Sequence, residues 1–220
     1  MRNLVLDGHK LSYHKDRVEA WLAGERIAPI TIDMALTRRC TQRCIFCYGK
    51  LQANDERRMT RDVLFRFLDD AAEIGVKAIS LISDGESTCS PHVYDFILHA
   101  RENGLDISLA TNGVLLRDDR LEDILPALTY IRFNVSAADP GRYAQIHGCP
   151  AQWLEKVCNT IRECVRIKRE RKLAVTIGLQ QVLMPDFGDQ VLPLAGWGRS
   201  WAPTTSSSST APTTNWGAWA

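Results

Sequence analysis

Apolar and polar residues alternate in five short stretches of the sequence, and longer stretches between them repeat apolar residues every three or four positions. The first pattern is typical of β-strands and the second of amphipathic α-helices. Gly75 and Gly104 follow two of the helical stretches, as helix ends favour. The pattern therefore predicts strands at 30–36, 77–83, 105–111, 130–136 and 173–184, and helices at 61–74, 92–102, 119–127 and 151–168.

Strands and helices that alternate in this way favour a parallel sheet with the helices outside it. Both an open doubly wound sheet and a barrel fit this pattern. In either fold, functional side chains gather where the strands end. The unusual polar residues follow the first four strands: a cysteine loop, then Asp84-Gly85-Glu86, then Asn112, then Asn134 and Ser136.

The chain is predicted to divide into a lead-in at 1–29, an α/β core at 30–195 and an irregular tail at 196–220. From Trp197 onward there is one Arg and no Asp, Glu or Lys, yet four of the six tryptophans lie there. A low-complexity Ser/Thr/Pro sequence is typical of a flexible linker. Since tryptophans are unusual in linkers, a second hypothesis is a frameshift between residues 190 and 203, which would truncate a longer enzyme after about five strands.

The net charge of +1 provides no broad field for attracting nucleic acid or an anionic membrane. No apolar run reaches the roughly 18 residues of a membrane span. Charges interrupt the N-terminus too early for a signal peptide. We therefore expect a cytoplasmic protein with no membrane or nucleic-acid partner, in which thiols stay reduced.

Three cysteines lie within eight residues, at the spacing Cys40-x3-Cys44-x2-Cys47. A closed structural zinc site needs four ligands, and only Cys89, Cys149 or a histidine would complete one. Disulfides do not fit a reducing compartment. Three thiolates from one loop suit a [4Fe–4S] cluster with one iron left open. The five histidines show no ligand spacing and are expected at surface or core positions.

With Phe46 inside it, this cysteine spacing resembles the signature of the radical SAM (S-adenosylmethionine) superfamily. The second strand runs into SDGES, which looks like a variant of the family's Gly-Gly-Glu motif with Asp84 in place of the first Gly. The fourth ends in NVSAADPGRYAQIHG, which is similar to the family's strand-four segment. The resemblance covers about residues 30–190 and implies a partial TIM-like (β/α) barrel.

The resemblance implies that Cys40, Cys44 and Cys47 hold three irons of a [4Fe–4S] cluster, while SAM chelates the fourth. An electron from the cluster then cleaves the C5′–S bond of SAM, and the 5′-deoxyadenosyl radical abstracts a hydrogen from the substrate. The implied partners are a small-molecule, sugar or peptide substrate and a reducing donor such as flavodoxin or ferredoxin.

The resemblance also implies a set of residues that contact SAM, namely Phe46, Asp84, Gly85, Glu86, Asn112, Asn134 and Ser136. Glu86 suits the SAM ammonium, because charge-assisted hydrogen bonds are strong. Gly85 allows the backbone to approach the ligand. Phe46 offers an apolar face to adenine. Asn134 and Ser136 are expected at the carboxylate or ribose, with capping of loose backbone groups as the alternative.

The lead-in and the strand pattern loosely resemble members of the family with SPASM-type extensions. Those extensions carry auxiliary Fe–S clusters, so an auxiliary cluster is expected in a missing C-terminal extension. Two rival hypotheses stay open at this stage: a non-catalytic, zinc-stabilised binding protein and an inactive, truncated radical SAM fragment.

Overall fold

Five parallel strands form a single sheet in the order in which they occur along the chain. The structure, a computed structural model, describes residues 13–51, 58–82 and 84–201. The strands are β1 (Thr31–Met34), β2 (Ala78–Leu81), β3 (Asp106–Thr111), β4 (Leu128–Asn134) and β5 (Thr176–Gln180). The helices are α1 (Lys15–Leu22), α2 (Arg61–Glu73), α3 (Val93–Glu102), α4 (Asp118–Ile124), α5 (Pro140–His147), α6 (Trp153–Glu170) and α7 (Val191–Trp201).

The strand order decides between the two architectures that the sequence allowed. A doubly wound sheet reverses its strand order at a switch point. Here each strand pairs with the next one along the chain, from β1 to β5, without a reversal. This is the order of a barrel wall, so the predicted α/β fold with parallel strands is confirmed.

The two faces of the sheet differ in chemistry. The helix-covered face presents fully buried apolar side chains: Ile79, Ile107, Leu109, Ile131 and Phe133. The open face presents half-buried, mostly small or polar side chains: Ser80, Ser108, Ala110, Arg132 and Asn134. Burial of each large apolar side chain stabilises the fold by about 1.5–3 kcal/mol. The helix-covered face therefore supplies the core, and the open face is left for ligands.

The connection between β4 and β5 contains two helices, whereas the sequence pattern predicted only one. The additional helix is α5, and it is capped at both ends. The Asp139 carboxylate accepts a hydrogen bond from the Arg142 backbone N–H at 2.8 Å, and Pro140 occupies the first turn. Gly148 ends the helix in the left-handed conformation, at φ 58°. These capping signals were present in the sequence, but the apolar stripe of an eight-residue helix is too short to stand out.

Helix α7 runs from Val191 to Trp201 and so crosses the predicted boundary between core and tail. The rest of the tail, 202–220, and the first part of the lead-in, 1–12, lie outside the described residues. Within the described ranges, none of the helices combines the length and apolarity needed to cross a bilayer.

Candidate active site

A cavity opens at the carboxyl ends of the first four strands, with about 730 Å³ of empty space that is partly open to solvent. The part that a water-sized molecule can occupy is about 150 Å³, which is smaller than a typical small-molecule site. Nine of the predicted site residues line it: Cys40, Cys44, Phe46, Cys47, Asp84, Gly85, Glu86, Asn112 and Asn134. The structure thus brings together residues that are widely separated in the sequence.

Ser136 does not line this cavity. Its hydroxyl accepts a hydrogen bond from the Val182 backbone N–H at 3.2 Å, and its backbone N–H donates to the Nε2 atom of His147 at 3.0 Å. The side chain is buried, with 1% of its surface exposed. These contacts correspond to the alternative of backbone capping, so the proposed cofactor contact of Ser136 has no support in this geometry.

The cysteine loop is fixed by backbone hydrogen bonds to the end of α5. The N–H groups of Arg43 and Ile45 donate to the carbonyls of His147 and Ile146 at 3.0 and 2.9 Å. A Cβ atom on Gly148 would lie 2.5 Å from the Arg43 carbonyl oxygen, so only glycine allows this approach. Helix α5 therefore determines where the cysteine loop lies.

Gly85 supports the cysteine loop from the other side. A Cβ atom on this residue, which has φ +70°, would lie 2.3 Å from the Thr37 carbonyl oxygen. The next N–H, that of Glu86, donates to the Arg39 carbonyl at 2.9 Å. The sequence suggested that glycine here lets the backbone approach a ligand. In the structure, Gly85 closely approaches the backbone that leads into Cys40, and it also lines the cavity.

Glu86 is buried and lies at the centre of a hydrogen-bond network. Its Oε1 atom accepts from the Thr88 N–H at 3.1 Å, from the Thr88 hydroxyl at 2.8 Å and from the Thr111 hydroxyl at 2.8 Å. Its Oε2 atom accepts from the Asn112 N–H at 2.7 Å. Burial raises the pKa of the carboxyl, and the four donors oppose that rise. Glu86 thus ties the end of β3 to the turn after β2, and Oε2 is the oxygen with fewer protein donors.

Asp84 is the more accessible carboxylate of the motif, with 24% of its side chain exposed. Arg38 lies 4.0 Å away and forms an ion pair with it. The Tyr48 hydroxyl donates a hydrogen bond to Asp84, and this bond raises the pKa of Tyr48. Asp84 therefore places a negative charge at the edge of the cavity, in a position where the family motif has glycine.

Burial and the neighbouring cysteines raise the pKa values of two thiols of the loop, those of Cys40 and Cys44. Burial, followed by the neighbouring Cys40 and Cys47, raises the pKa of Cys44 to about 12. Burial also raises the pKa of Cys40. Both are therefore neutral thiols at physiological pH in the metal-free protein, and metal binding must release their protons. Within the described ranges, no three His, Cys, Asp or Glu side chains are placed to hold a single metal ion.

Two asparagines contribute to the cavity in different ways. The Asn112 side chain donates to the Thr41 hydroxyl at 3.0 Å and points its Nδ2 atom at Cys40 Sγ, 3.8 Å away. Asn134 has a buried Oδ1 atom with no hydrogen-bond partner among the residues that the structure describes. A buried acceptor without a partner is costly, so this atom is suited to a donor from a ligand.

Sequence reasoning missed residues behind the cysteine loop. His147, at the end of α5, lies with its Nδ1 atom 3.2 Å from Cys44 Sγ. Gln42 donates to the Tyr143 hydroxyl at 2.8 Å, and its Oε1 atom lies 3.6 Å from Cys44 Sγ. His147 is 103 positions from Cys44 and Gln42 is 101 positions from Tyr143, so no local spacing could have indicated these two contacts.

A family model described as the radical SAM superfamily matches residues 34–189 of this chain. The chain belongs to the radical SAM superfamily. The resemblance inferred from the cysteine loop is thereby confirmed, as is the partial TIM-like barrel. Radical SAM proteins use a [4Fe–4S] cluster and SAM. The site fits both groups, because the three cysteines of one loop line the cavity and the Asn134 acceptor within it has no partner in the described part of the chain.

Similar proteins include a probable GTP 3′,8-cyclase of Pyrococcus horikoshii, 26% identical over 165 residues, which cover 73% of this chain and 49% of that protein. A PqqA peptide cyclase of Bradyrhizobium diazoefficiens is 26% identical over 151 residues, or 68% of this chain and 38% of that protein. The crystal structure of Streptococcus suis SuiB bound to S-adenosylmethionine matches with a TM-score of 0.65 at 16% identity, over 87% of this chain and 43% of that one. The chain thus spans about half or less of the length of these relatives.

Proposed function

We propose that this chain binds a [4Fe–4S] cluster and SAM in the cavity and performs radical SAM chemistry on a substrate at the open face. When bound, the cluster and SAM would supply the electron transfer and the hydrogen abstraction of this chemistry. One observation supports this proposal above the others: the three cysteines of the loop and the Asp84-Gly85-Glu86 turn line the same cavity.

In this proposal Cys40, Cys44 and Cys47 hold three irons, and the remaining iron is open to SAM. Phe46 lines the same cavity and offers an apolar surface to the adenine. Asn134 accepts a hydrogen bond from a hydroxyl or ammonium of SAM through its unpartnered Oδ1 atom. The protein positions both groups and excludes competing reactions, while the cofactors carry the difficult chemistry.

The motif offers two carboxylates to the SAM ammonium, those of Asp84 and Glu86. Asp84 is partly exposed at the cavity edge, and the Glu86 Oε2 atom accepts one hydrogen bond from the described residues, that of the Asn112 N–H. We propose that both carboxylates attract the ammonium, with Glu86 also holding the turn in place. Asn112 supports this arrangement, since its backbone N–H anchors Glu86 and its side chain reaches the cysteine loop.

Electrons are proposed to enter beside Cys47, which is the exposed cysteine of the loop. Tyr48, next to it, is 59% exposed. A cluster held by this loop would therefore lie close to the protein surface. A reduced flavodoxin or ferredoxin can approach it there without entering the barrel.

The open face favours a substrate with an anionic group. Arg132 lies on this face, two residues before Asn134, and its buried Nε atom has no hydrogen-bond partner within residues 13–51, 58–82 and 84–201. Its sheet neighbours are Ala110 and Gly178, and the Tyr130 side chain covers Gly178, with its hydroxyl oxygen 3.0 Å from the position of a Cβ atom there. A carboxylate or phosphate on a small molecule, sugar or peptide would pair with this cation. The relatives named for a GTP and a peptide reaction show that substrates differ widely within the family.

Anaerobic reconstitution with iron and sulfide tests this function. We expect close to four irons per chain, a broad visible absorption, and 5′-deoxyadenosine when SAM and dithionite are added. Cys44→Ala should abolish cluster binding, while Cys164→Ala, a buried thiol far from the loop on α6, should retain it. Binding of zinc without iron, or full iron content in Cys44→Ala, would contradict the proposal.

A further inference from the structure

A buried histidine touches the sulfur of a proposed cluster ligand. His147 has 0% of its surface exposed and lies with Nδ1 3.2 Å from Cys44 Sγ. Its other ring nitrogen, Nε2, lies 3.0 Å from the backbone nitrogen of Ser136. The imidazole thus bridges the end of β4 and the cysteine loop.

The contact with Ser136 fixes the position of the histidine proton. A backbone N–H can only donate, so Nε2 must carry a lone pair. A neutral imidazole has one N–H, which is then on Nδ1. That proton points at the sulfur of Cys44.

We infer that His147 donates its Nδ1–H to the Cys44 thiolate when the cluster is bound, and thereby raises the reduction potential of the cluster. This inference rests on the proposed role of Cys44 as an iron ligand. His147 is a positioning residue, because it acts on the cluster only through Cys44. Hydrogen bonds to the coordinating sulfurs are among the factors that set the potential of Fe–S clusters.

The direction follows from charge. Reduction adds a negative charge to the cluster, part of which lies on the thiolate sulfurs. An N–H donor stabilises that charge more in the reduced state than in the oxidised state. The donor therefore favours reduction, and its removal should make the cluster harder to reduce.

The surroundings hold the imidazole in this orientation. The Tyr143 and Phe46 rings lie 4.5 and 6.1 Å from it, centroid to centroid. Since the ring is packed on two sides and bonded at Nε2, Nδ1 has a fixed direction. Groups around a metal site that orient a ligand in this way commonly change its properties when mutated.

Two substitutions separate the two contacts of the ring. In His147→Asn, the side-chain amide nitrogen replaces Nδ1 and keeps a donor for Cys44, but the acceptor for Ser136 is lost. In His147→Gln, the oxygen of the longer side-chain amide takes the place of Nε2 and still accepts from the Ser136 N–H, but the donor for Cys44 is lost. The two variants therefore test the N–H···S bond against a purely structural role.

The measurement is the midpoint potential of the reconstituted cluster, followed by its EPR signal during a reductive titration. We expect His147→Gln to lower the equilibrium constant for reduction about tenfold, which is about 59 mV for a one-electron couple. His147→Asn should stay close to wild type in potential and show the larger loss of melting temperature. Equal potentials in wild type and His147→Gln would overturn the inference, as would equal shifts in both variants.

Cluster loading gives a second readout if one variant binds little iron. Full iron content in His147→Asn with loss in His147→Gln supports the donor, whereas loss in both overturns it in favour of a structural role. Failure of the wild-type protein to bind a cluster, or full iron content in Cys44→Ala, would instead contradict the proposed function. The two failures are thus distinguishable.

Discussion

Phe133 and Asn134 are adjacent in β4 but belong to opposite faces of the sheet. Phe133 is fully buried on the helix-covered face. Its ring packs so closely on Gly113 that a Cβ atom added to this glycine would lie 3.0 Å from Cδ1 and 3.2 Å from Cε1 of the ring. Asn134 lies on the open face, and none of the described residues forms a hydrogen bond with its buried Oδ1 atom. One strand thus provides stability on one side and unsatisfied polar atoms on the other. The comparison shows that the period-two alternation of a strand can separate folding from ligand binding.

The strongest test of this comparison is Phe133→Ala with Asn134→Ala as its matched control. Phe133→Ala should lower the free energy of unfolding by about 3–5 kcal/mol, because it removes core packing and leaves a cavity. Asn134→Ala should change it by less than about 1 kcal/mol, because no hydrogen bond of Oδ1 is lost. Urea unfolding of the metal-free protein measures both.

The control has its own expected effect on the ligand. Asn134→Ala should weaken SAM binding to the reconstituted protein, as measured by calorimetry under anaerobic conditions. A large loss of stability in Asn134→Ala, or a small one in Phe133→Ala, would show that the two faces do not divide their roles in this way.

The two carboxylates of the motif offer a second, smaller contrast. Glu86→Gln should lower the free energy of unfolding by about 1–3 kcal/mol, because an amide nitrogen would face the Asn112 N–H or the Thr88 N–H. Asp84→Asn should leave stability nearly unchanged, since its partly exposed ion pair with Arg38 contributes little. It should instead weaken SAM binding by removing a negative charge at the cavity edge.

Thermal unfolding and SAM titration of both variants separate these effects. If Asp84→Asn bound SAM as tightly as wild type, Asp84 would not contact the ammonium. If Glu86→Gln were as stable as wild type, the network around Glu86 would not hold the turn.

The smallest change in stability is expected for Arg132→Gln. Burial lowers the pKa of Arg132, and its Nε atom lacks a partner, so removal of this cation should leave the free energy of unfolding unchanged or slightly higher. Formation of 5′-deoxyadenosine without substrate should be retained. A loss above about 1 kcal/mol in chemical denaturation would indicate that Arg132 stabilises the fold, and would remove the argument for an anionic substrate.

The sequence was informative where the physical signal is local. Alternation located all five strands, and the cysteine spacing together with Asp84-Gly85-Glu86 indicated residues that meet at one cavity. It was uninformative where the signal depends on tertiary contacts. His147 has no ligand spacing, because its partner Cys44 is 103 positions away. The crowding of Gly85 by the Thr37 carbonyl is a second such tertiary contact, while its close approach to a ligand stays a prediction.

The backbone hydrogen bonds between the cysteine loop and α5 have a consequence for synthesis on the ribosome. Cys44 is translated 103 residues before His147, the residue that contacts it. At about 5–20 residues per second, this separation corresponds to roughly 5–20 s. During that interval the loop has neither the carbonyls of α5 nor the imidazole to hold it. Iron delivered to the nascent chain would therefore meet an unformed site, and insertion of a stable cluster is expected to follow synthesis of Gly148.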